Sequence, residues 1–213
     1  MKEELYIQKQ VLLKQHALYV NGTLLFEGAS DISALAFFQE LYRFFEINYQ
    51  RFFKMDMLSK TLFLASEALI RDSILLPKTE NQHVALVFCN SHSSIYSDKQ
   101  FQATIQSDAY FPSPSHFIYT LPNIALGEVA IRNKFMGENC TFITPELDAK
   151  LCVDYVSALF NRGIYSHIIC GWVDYIDERG EANIYLVSKE KTNKVFNINI
   201  LERDKELYAH ICH

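Results

Sequence analysis

Between residues 113 and 174 the chain reads, in order, Ser-Pro-Ser-His-Phe (113–117), Leu-Pro-Asn (121–123), Ala-Leu-Gly-Glu-Val-Ala-Ile-Arg (125–132), Cys-Thr-Phe-Ile-Thr-Pro-Glu-Leu-Asp (140–148) and Cys-Gly-Trp-Val-Asp (170–174). This pattern predicts a helix, a short strand, a second helix and a buried strand. We expect the short strand to turn at Thr144-Pro145 directly into the second helix. A strand that runs straight into a helix aims one residue of the turn into the pocket at the strand's carboxyl end. Here that residue is Glu146 or a near neighbour.

The order of these segments resembles the N-terminal half of β-ketoacyl synthases, which are condensing enzymes of the thiolase fold. The residues that carry the resemblance are Pro114, Phe117, Pro122, Asn123, Gly127, Gly137, Thr144, Gly163 and Gly171. The match covers roughly residues 55–175. It implies an α/β chain with a single half of the thiolase-like fold, a mixed sheet flanked by helices, lacking most of the second half.

The resemblance places Glu146 where the family carries its acyl-accepting cysteine. A carboxylate cannot replace that nucleophile, which depends on a soft and easily ionised sulfur. The chain also ends at His213, about where the family's second half begins, and that half supplies the two histidines used in condensation. The resemblance therefore implies a relative that does not condense acyl groups.

Local chemistry offers a second interpretation of the same residues. A Thr at the N-cap, a Pro at the first helical position and acidic residues in the first turn are typical of an ordinary helix start. The two interpretations are compatible, because a turn without a chemical role can relax into an unstrained helix start.

Composition limits the classes of function. The chain has 213 residues, of which 49% are hydrophobic and 21% charged, so we expect one globular domain over residues 1–213. The net charge of −5 argues against a nucleic-acid surface. No apolar run approaches the ~20 residues of a membrane span. Five widely spaced cysteines indicate reduced thiols in the cytoplasm rather than a disulfide framework.

The remaining segments predict further elements. Residues 1–28 predict a short helical or irregular start and then a hairpin around Asn21-Gly22. Residues 31–50 predict a helix rich in aromatics, which either pack in the core or form a partner surface. A helix is expected from Met55 to Arg71, a buried strand at 84–89 and a last strand at 195–201.

No motif for metal, cofactor or triad chemistry stands out. His210 and His213 lack two further ligands at a matching spacing, and with 7 glycines the phosphate-binding loops are missing. We therefore expect neither a metal nor a cofactor. Ser91-His92-Ser93 invites a hydrolase interpretation, but no Asp in an obvious motif is predicted to orient His92.

Two functional hypotheses follow from the resemblance. The first is a non-catalytic, chain-length-factor-like partner of a full-length β-ketoacyl synthase, similar to the small subunits of aryl polyene and flexirubin-type pathways. In that family the strand equivalent to residues 140–144 pairs across the dimer axis, so we expect a heterodimer, or else a homodimer, that serves an acyl carrier protein indirectly. The residues assigned to the acyl tunnel and interface are Phe117, Asn123, Phe142, Thr144, Pro145 and Glu146.

The second hypothesis is a stand-alone protein that binds acyl thioesters, or a decarboxylase or hydrolase with Glu146 as its base. A carboxylate at a helix N-terminus is stabilised in its charged form, which makes it a poorer base.

Overall fold

The computed structural model describes residues 4–14, 16–73, 83–105 and 112–210. The strands are β1 (Tyr6–Lys14), β2 (Ala17–Val20), β3 (Thr23–Glu27), β4 (Val84–Asn90), β5 (Asn139–Ile143), β6 (His167–Ile176) and β7 (Arg179–Ser188). The helices are α1 (Ala34–Phe44), α2 (Met57–Ile70), α3 (Ile95–Gln102), α4 (Pro114–Phe117), α5 (Ile124–Asn133), α6 (Ala149–Asn161) and α7 (Ile198–His210), and a 3-10 helix spans Gln50–Lys54. His213, which was considered as a metal ligand, lies outside the described residues.

The described strands form one mixed sheet in the order β3-β2-β1-β7-β6-β4-β5. Strands β6, β4 and β5 are parallel, whereas β7 runs antiparallel to both of its neighbours, β1 and β6. The predicted mixed sheet flanked by helices is confirmed.

Alternate residues of the strands enter two separate cores, as the two-residue period of a strand requires. In β4, Leu86 and Phe88 face the core that contains α1, α2 and α5, whereas Val87 and Cys89 face the core that contains α6. All residues of β4 are buried, because helices cover both faces of the sheet. Helix α2 is buried along almost its whole length and is capped by Asp56, whose carboxylate accepts the N–H of Ser59 at 2.9 Å. The aromatics Phe37 and Phe38 of α1 are buried in the same core as α2.

Several predicted elements are confirmed. The hairpin β2–β3 turns at Asn21 and Gly22, both with positive φ (51° and 81°), as a two-residue type I′ turn requires. Gly137 and Gly171, two glycines of the predicted pattern, lie where a side chain would collide with the backbone of a neighbouring strand. A Cβ on Gly137 would lie 2.2 Å from the carbonyl oxygen of Val84, and one on Gly171 would lie 2.2 Å from that of Asn183.

Two predictions at the chain ends are wrong. The irregular or helical start is instead the long strand β1, which lies between β2 and β7. Of the predicted strand at residues 195–201, only an isolated antiparallel bridge between Val195 and Tyr6 forms, and α7 begins at Ile198. There the side chain of Asn197 accepts the N–H of Ile200 at 3.0 Å, so its oxygen caps a helix where sequence alternation had indicated a strand.

None of the described helices is both long and apolar enough to cross a membrane.

Candidate functional site

The segment at residues 144–148 is a loop, and α6 begins only at Ala149. The prediction that Thr144 caps this helix and that Pro145 opens it is therefore wrong. The cap is Asp148, whose carboxylate accepts the N–H of Leu151 at 2.8 Å. Thr144 instead donates its N–H to the carbonyl of Asn90 at 2.9 Å, so it extends the β4–β5 ladder. Thr144 and Asp148 are both good caps, and pairing with β4 decides between them.

Glu146 points away from the interior. Its side chain is 66% exposed, and one carboxylate oxygen lies 2.8 Å from Nζ of Lys205 on α7. The residue of this loop that is buried is Leu147, which packs in the core that contains α6. The near neighbour of Glu146 that points inward is therefore apolar and carries no acid–base group. Glu146 also lies outside the first turn of α6, so the expected stabilisation of its charge by that helix does not apply.

The other predicted site residues divide into two groups. Phe142 packs edge-on against Tyr155 of α6, with ring centroids 5.0 Å apart, and Thr144 to Glu146 follow it along the chain. Phe117 lies at the end of α4, 5.4 Å from the ring of Phe101, and Asn123 is the N-cap residue of α5 without a side-chain capping bond. Within the described ranges no hydrogen bond, ion pair or ring contact joins Phe117 or Asn123 to residues 142–146.

Strand β5 forms one edge of the sheet, and β4 is its sole partner among the described strands. The N–H of Leu86 bonds to the carbonyl of Glu138 at 2.8 Å and the N–H of Thr144 to that of Asn90. Alternation along a parallel ladder then directs the backbone groups of Asn139, Thr141 and Ile143 toward the open edge.

Large apolar side chains are exposed in the segment that leads from α4 to β5. They are Phe117, Ile118, Leu121, Ile131, Met136 and Ile143, and Met136 is 77% exposed. An open strand edge beside exposed apolar side chains is typical of a surface that another chain covers.

One polar cluster was missed by sequence reasoning. The ring nitrogen Nδ1 of His92 lies 2.6 Å from a carboxylate oxygen of Asp174, which is buried. The other oxygen of Asp174 accepts the side-chain N–H of Asn90 at 3.0 Å and the backbone N–H of Tyr175 at 3.0 Å. Asp174 therefore orients His92, although no sequence motif joins the two residues. The available signal was that Asn90 and Asp174 both follow apolar runs, at the carboxyl ends of what prove to be neighbouring parallel strands.

This cluster lacks a nucleophile. Among the residues that the structure describes, no serine hydroxyl hydrogen-bonds to the ring of His92, and Glu146 follows β5 on the side of β4 away from Asp174. The arrangement orients an imidazole but does not assemble a catalytic triad.

Three of the described thiols are poor nucleophiles and poor ligands. Burial raises the pKa of Cys89 to about 11, and burial likewise raises the pKa of Cys140 and of Cys170. Thiolates, not thiols, attack thioesters and bind metals. In the described part of the chain no group of three or more His, Cys, Asp or Glu side chains is arranged to hold a metal ion.

Among the comparisons with known proteins, only the comparison with solved structures gives matches, and these show the fold. No protein-family model matches the sequence, and no curated protein matches it significantly. The ishigamide ketosynthase/chain length factor superposes with a TM-score of 0.63 at 14% identity, covering 90% of this chain and 64% of that one. AntDE:AntF, a type II PKS acyl-carrier protein in complex with its ketosynthase bound to the hexaketide, gives a TM-score of 0.58 at 10% identity, with coverages of 88% and 63%.

A third structure is the ketosynthase ApeO in complex with its chain length factor ApeC from Xenorhabdus doucetiae. It gives a TM-score of 0.53 at 11% identity, covering 88% of this chain and 79% of that one. The chain thus has the thiolase-like fold of these proteins, in a single half. It spans 64% and 63% of the first two chains that it matches.

Proposed function

We propose that this chain is a non-catalytic, chain-length-factor-like partner of a full-length β-ketoacyl-ACP synthase in fatty-acid or polyketide-type biosynthesis of the aryl polyene or flexirubin kind. It completes a heterodimer and shapes the acyl tunnel, and it serves the acyl carrier protein only through its partner. The likeness to ketosynthase and chain length factor assemblies supports the class of protein.

The single observation that carries the partner role is the open edge at β5. Its outward backbone groups and the exposed side chains from Phe117 to Ile143 form one continuous stretch of chain. A strand added at this edge satisfies the backbone groups, and an apolar partner surface removes the exposed side chains from water. Of the predicted site residues, Phe117 is 60% exposed and Phe142 lies on the edge strand, which supports their assignment to the interface and tunnel.

The non-catalytic role is supported by two features of the loop at 144–148. Glu146 is exposed and paired with Lys205, and the inward residue Leu147 has no reactive group. A stand-alone decarboxylase or hydrolase that uses Glu146 is not favoured, because a solvated carboxylate outside a cavity gains nothing over bulk buffer as a base. We expect no decarboxylation of malonyl-carrier protein by the purified chain. Turnover that Glu146→Ala abolishes would revive that alternative.

The partner role is tested by introducing a negative charge either at the β5 edge of the sheet or at the opposite β3 edge. The chain is co-expressed with a full-length ketosynthase from the same genome, as wild type, as Ile143→Asp and as Leu24→Asp. Ile143 on β5 is 54% exposed and Leu24 on the opposite edge strand β3 is 45% exposed, so the two substitutions are matched in kind and in exposure. We expect a 1:1 complex that Ile143→Asp weakens about tenfold or more, since a buried unpaired charge costs more than 1.4 kcal/mol. Leu24→Asp is expected to leave it unchanged.

Equal effects of the two variants, or none, would show that the complex does not use the β5 edge. A homodimer that Ile143→Asp dissociates would make the partner a second copy of this chain.

We also propose a single domain over residues 1–213 and a cytoplasmic location. The one continuous sheet supports the first and the unpaired buried thiols support the second.

A further inference from the structure

A cavity of about 670 Å³ lies over the N-terminus of α2. Its walls come from α1, the 3-10 helix, α3, α4 and the first turns of α2. The volume falls within the range of small-molecule sites, which run from about 300 to 1,000 Å³. None of its lining residues belongs to β5 or to the loop at 144–148, although Tyr119 follows the exposed Phe117 and Ile118 along the chain.

Lys60 is the buried cation of this cavity. The residue is 6% exposed, and its ammonium donates one hydrogen bond to the carbonyl of Met55 and lies 5.7 Å from the ring centroid of Phe52. An ammonium has three N–H donors. Within the described ranges Lys60 forms no ion pair and its other two donors have no hydrogen-bond acceptor. Burying a charge in this state is costly unless a counter-ion is supplied.

The nearest acidic group does not supply that counter-ion. Asp56 accepts the N–H of Ser59 with one oxygen, at 2.9 Å, and the hydroxyl of Ser97 with the other, at 2.6 Å. Burial lowers the pKa of Lys60, and the carboxylate of Asp56 opposes this only in part. The other titratable groups that line the cavity are Lys54, Tyr96, His116 and Tyr119, none of which is a carboxylate.

We propose that the cavity binds the carboxylate end of a small apolar ligand, with Nζ of Lys60 as the counter-ion. Apolar side chains such as Leu35, Phe52 and Met57 provide the wall for a hydrocarbon tail. One buried ammonium matches the single charge of a carboxylate, whereas a phosphate carries more charge and is usually bound by several donors.

Octanoate, octan-1-ol and octylammonium are suitable probes, because they share a chain length and differ in the head group. Binding is measured by calorimetry on the wild-type chain, on Lys60→Met and on Lys54→Met, whose lysine lies exposed at the rim. We expect octanoate to bind at least tenfold more tightly than octanol, and octylammonium not to bind. Lys60→Met is expected to remove that preference and to keep octanol binding, whereas Lys54→Met keeps the preference.

The wild-type chain gives an independent readout if Lys60→Met fails to fold. Octanoate affinity should fall as the pH rises from 7 to 10 and Lys60 loses its proton, whereas octanol affinity should not change. Equal binding of octanoate and octanol to the wild type, an octanoate affinity that does not change with pH, or an unchanged octanoate preference in Lys60→Met would each overturn the proposal.

Discussion

The carboxylate of Glu128 on α5 joins three elements on one side of the sheet. It accepts two hydrogen bonds from the guanidinium of Arg51, at 2.6 and 3.0 Å, and one from the hydroxyl of Tyr119 at 3.0 Å. Glu128 is buried. The burial of Tyr119 itself raises the pKa of its hydroxyl, and the negative charge of Glu128 raises it further. These bonds fix α5 against the 3-10 helix and the turn after α4, and so they position the exposed segment that leads to β5.

Glu128→Gln is expected to lower the free energy of unfolding by about 1–3 kcal/mol, because it removes a charged acceptor from Arg51 and from the buried hydroxyl of Tyr119. The half-exposed Arg51 regains water, which keeps the loss below that of a fully buried pair. Urea unfolding measures the change. Asp154→Asn breaks the exposed pair with Lys150 and is expected to leave the free energy of unfolding nearly unchanged. Equal losses in the two variants would show that the network around Glu128 contributes no more to stability than an exposed ion pair.

Thiol chemistry provides a second test at the scale of single residues. The pKa of Cys89 is about 11 in the folded chain, against 9.0 for the free group. Two pH units are a factor of about 100 in thiolate. At pH 8 we expect alkylation of Cys89 at least ~100-fold slower than in the urea-unfolded chain, as measured by peptide mass mapping. Labelling of Cys89 at the unfolded rate in the native protein would contradict this account of its burial.

Single residues are where sequence reasoning was weakest. Gly137 and Gly171 could be identified from the pattern, because close backbone contacts exclude any side chain at these two positions. The pairing of His92 with Asp174 could not, since it depends on two strands distant in sequence becoming neighbours in the sheet. The direction of Glu146 depends on where a helix begins, and a shift of the cap by a few residues changed which side chain points inward.

At the scale of elements, the start of α6 is the clearest departure from the sequence expectation. Asp148→Ala should destabilise the chain by about 1 kcal/mol, since it removes the capping bond to Leu151. Glu146→Ala should cost less than about 0.5 kcal/mol, because its pair with Lys205 is exposed. Thermal or urea unfolding of the two variants measures both losses of stability. A larger loss in Glu146→Ala would place the helix start where the sequence pattern had it.

Elements with a strong period or a special turn could be predicted, including α2, β4 and the hairpin at Asn21-Gly22. Strand β1 was missed because its polar residues suggest exposure. In the structure the side chain of Gln10 is satisfied instead by Asn183 at 3.1 Å and Lys194 at 2.6 Å, from other elements. The start of α7 was missed because polar and apolar residues alternate there, and only the capping bond of Asn197 distinguishes a helix from a strand.

At the scale of the whole molecule, large apolar side chains are exposed at both edges of the sheet rather than over α6. The outward face of α6 is instead polar or small, with Lys150, Asp154 and Ala158 exposed. Phe117, Ile118, Leu121, Ile131, Met136 and Ile143 are exposed along the segment of chain that ends in β5, and Leu24 and Leu25 are exposed on β3 at the opposite edge. The described surface is therefore polar over α6 and carries exposed apolar side chains at both edges of the sheet, and the comparison of Ile143→Asp with Leu24→Asp distinguishes which edge a partner covers.

The partner claim is tested most directly by native mass spectrometry of the tagged chain purified from its own host. We predict a complex with one copy of this chain and one copy of a full-length ketosynthase that retains its nucleophilic cysteine. A chain that is recovered alone, as a monomer or a homodimer, would contradict the central claim.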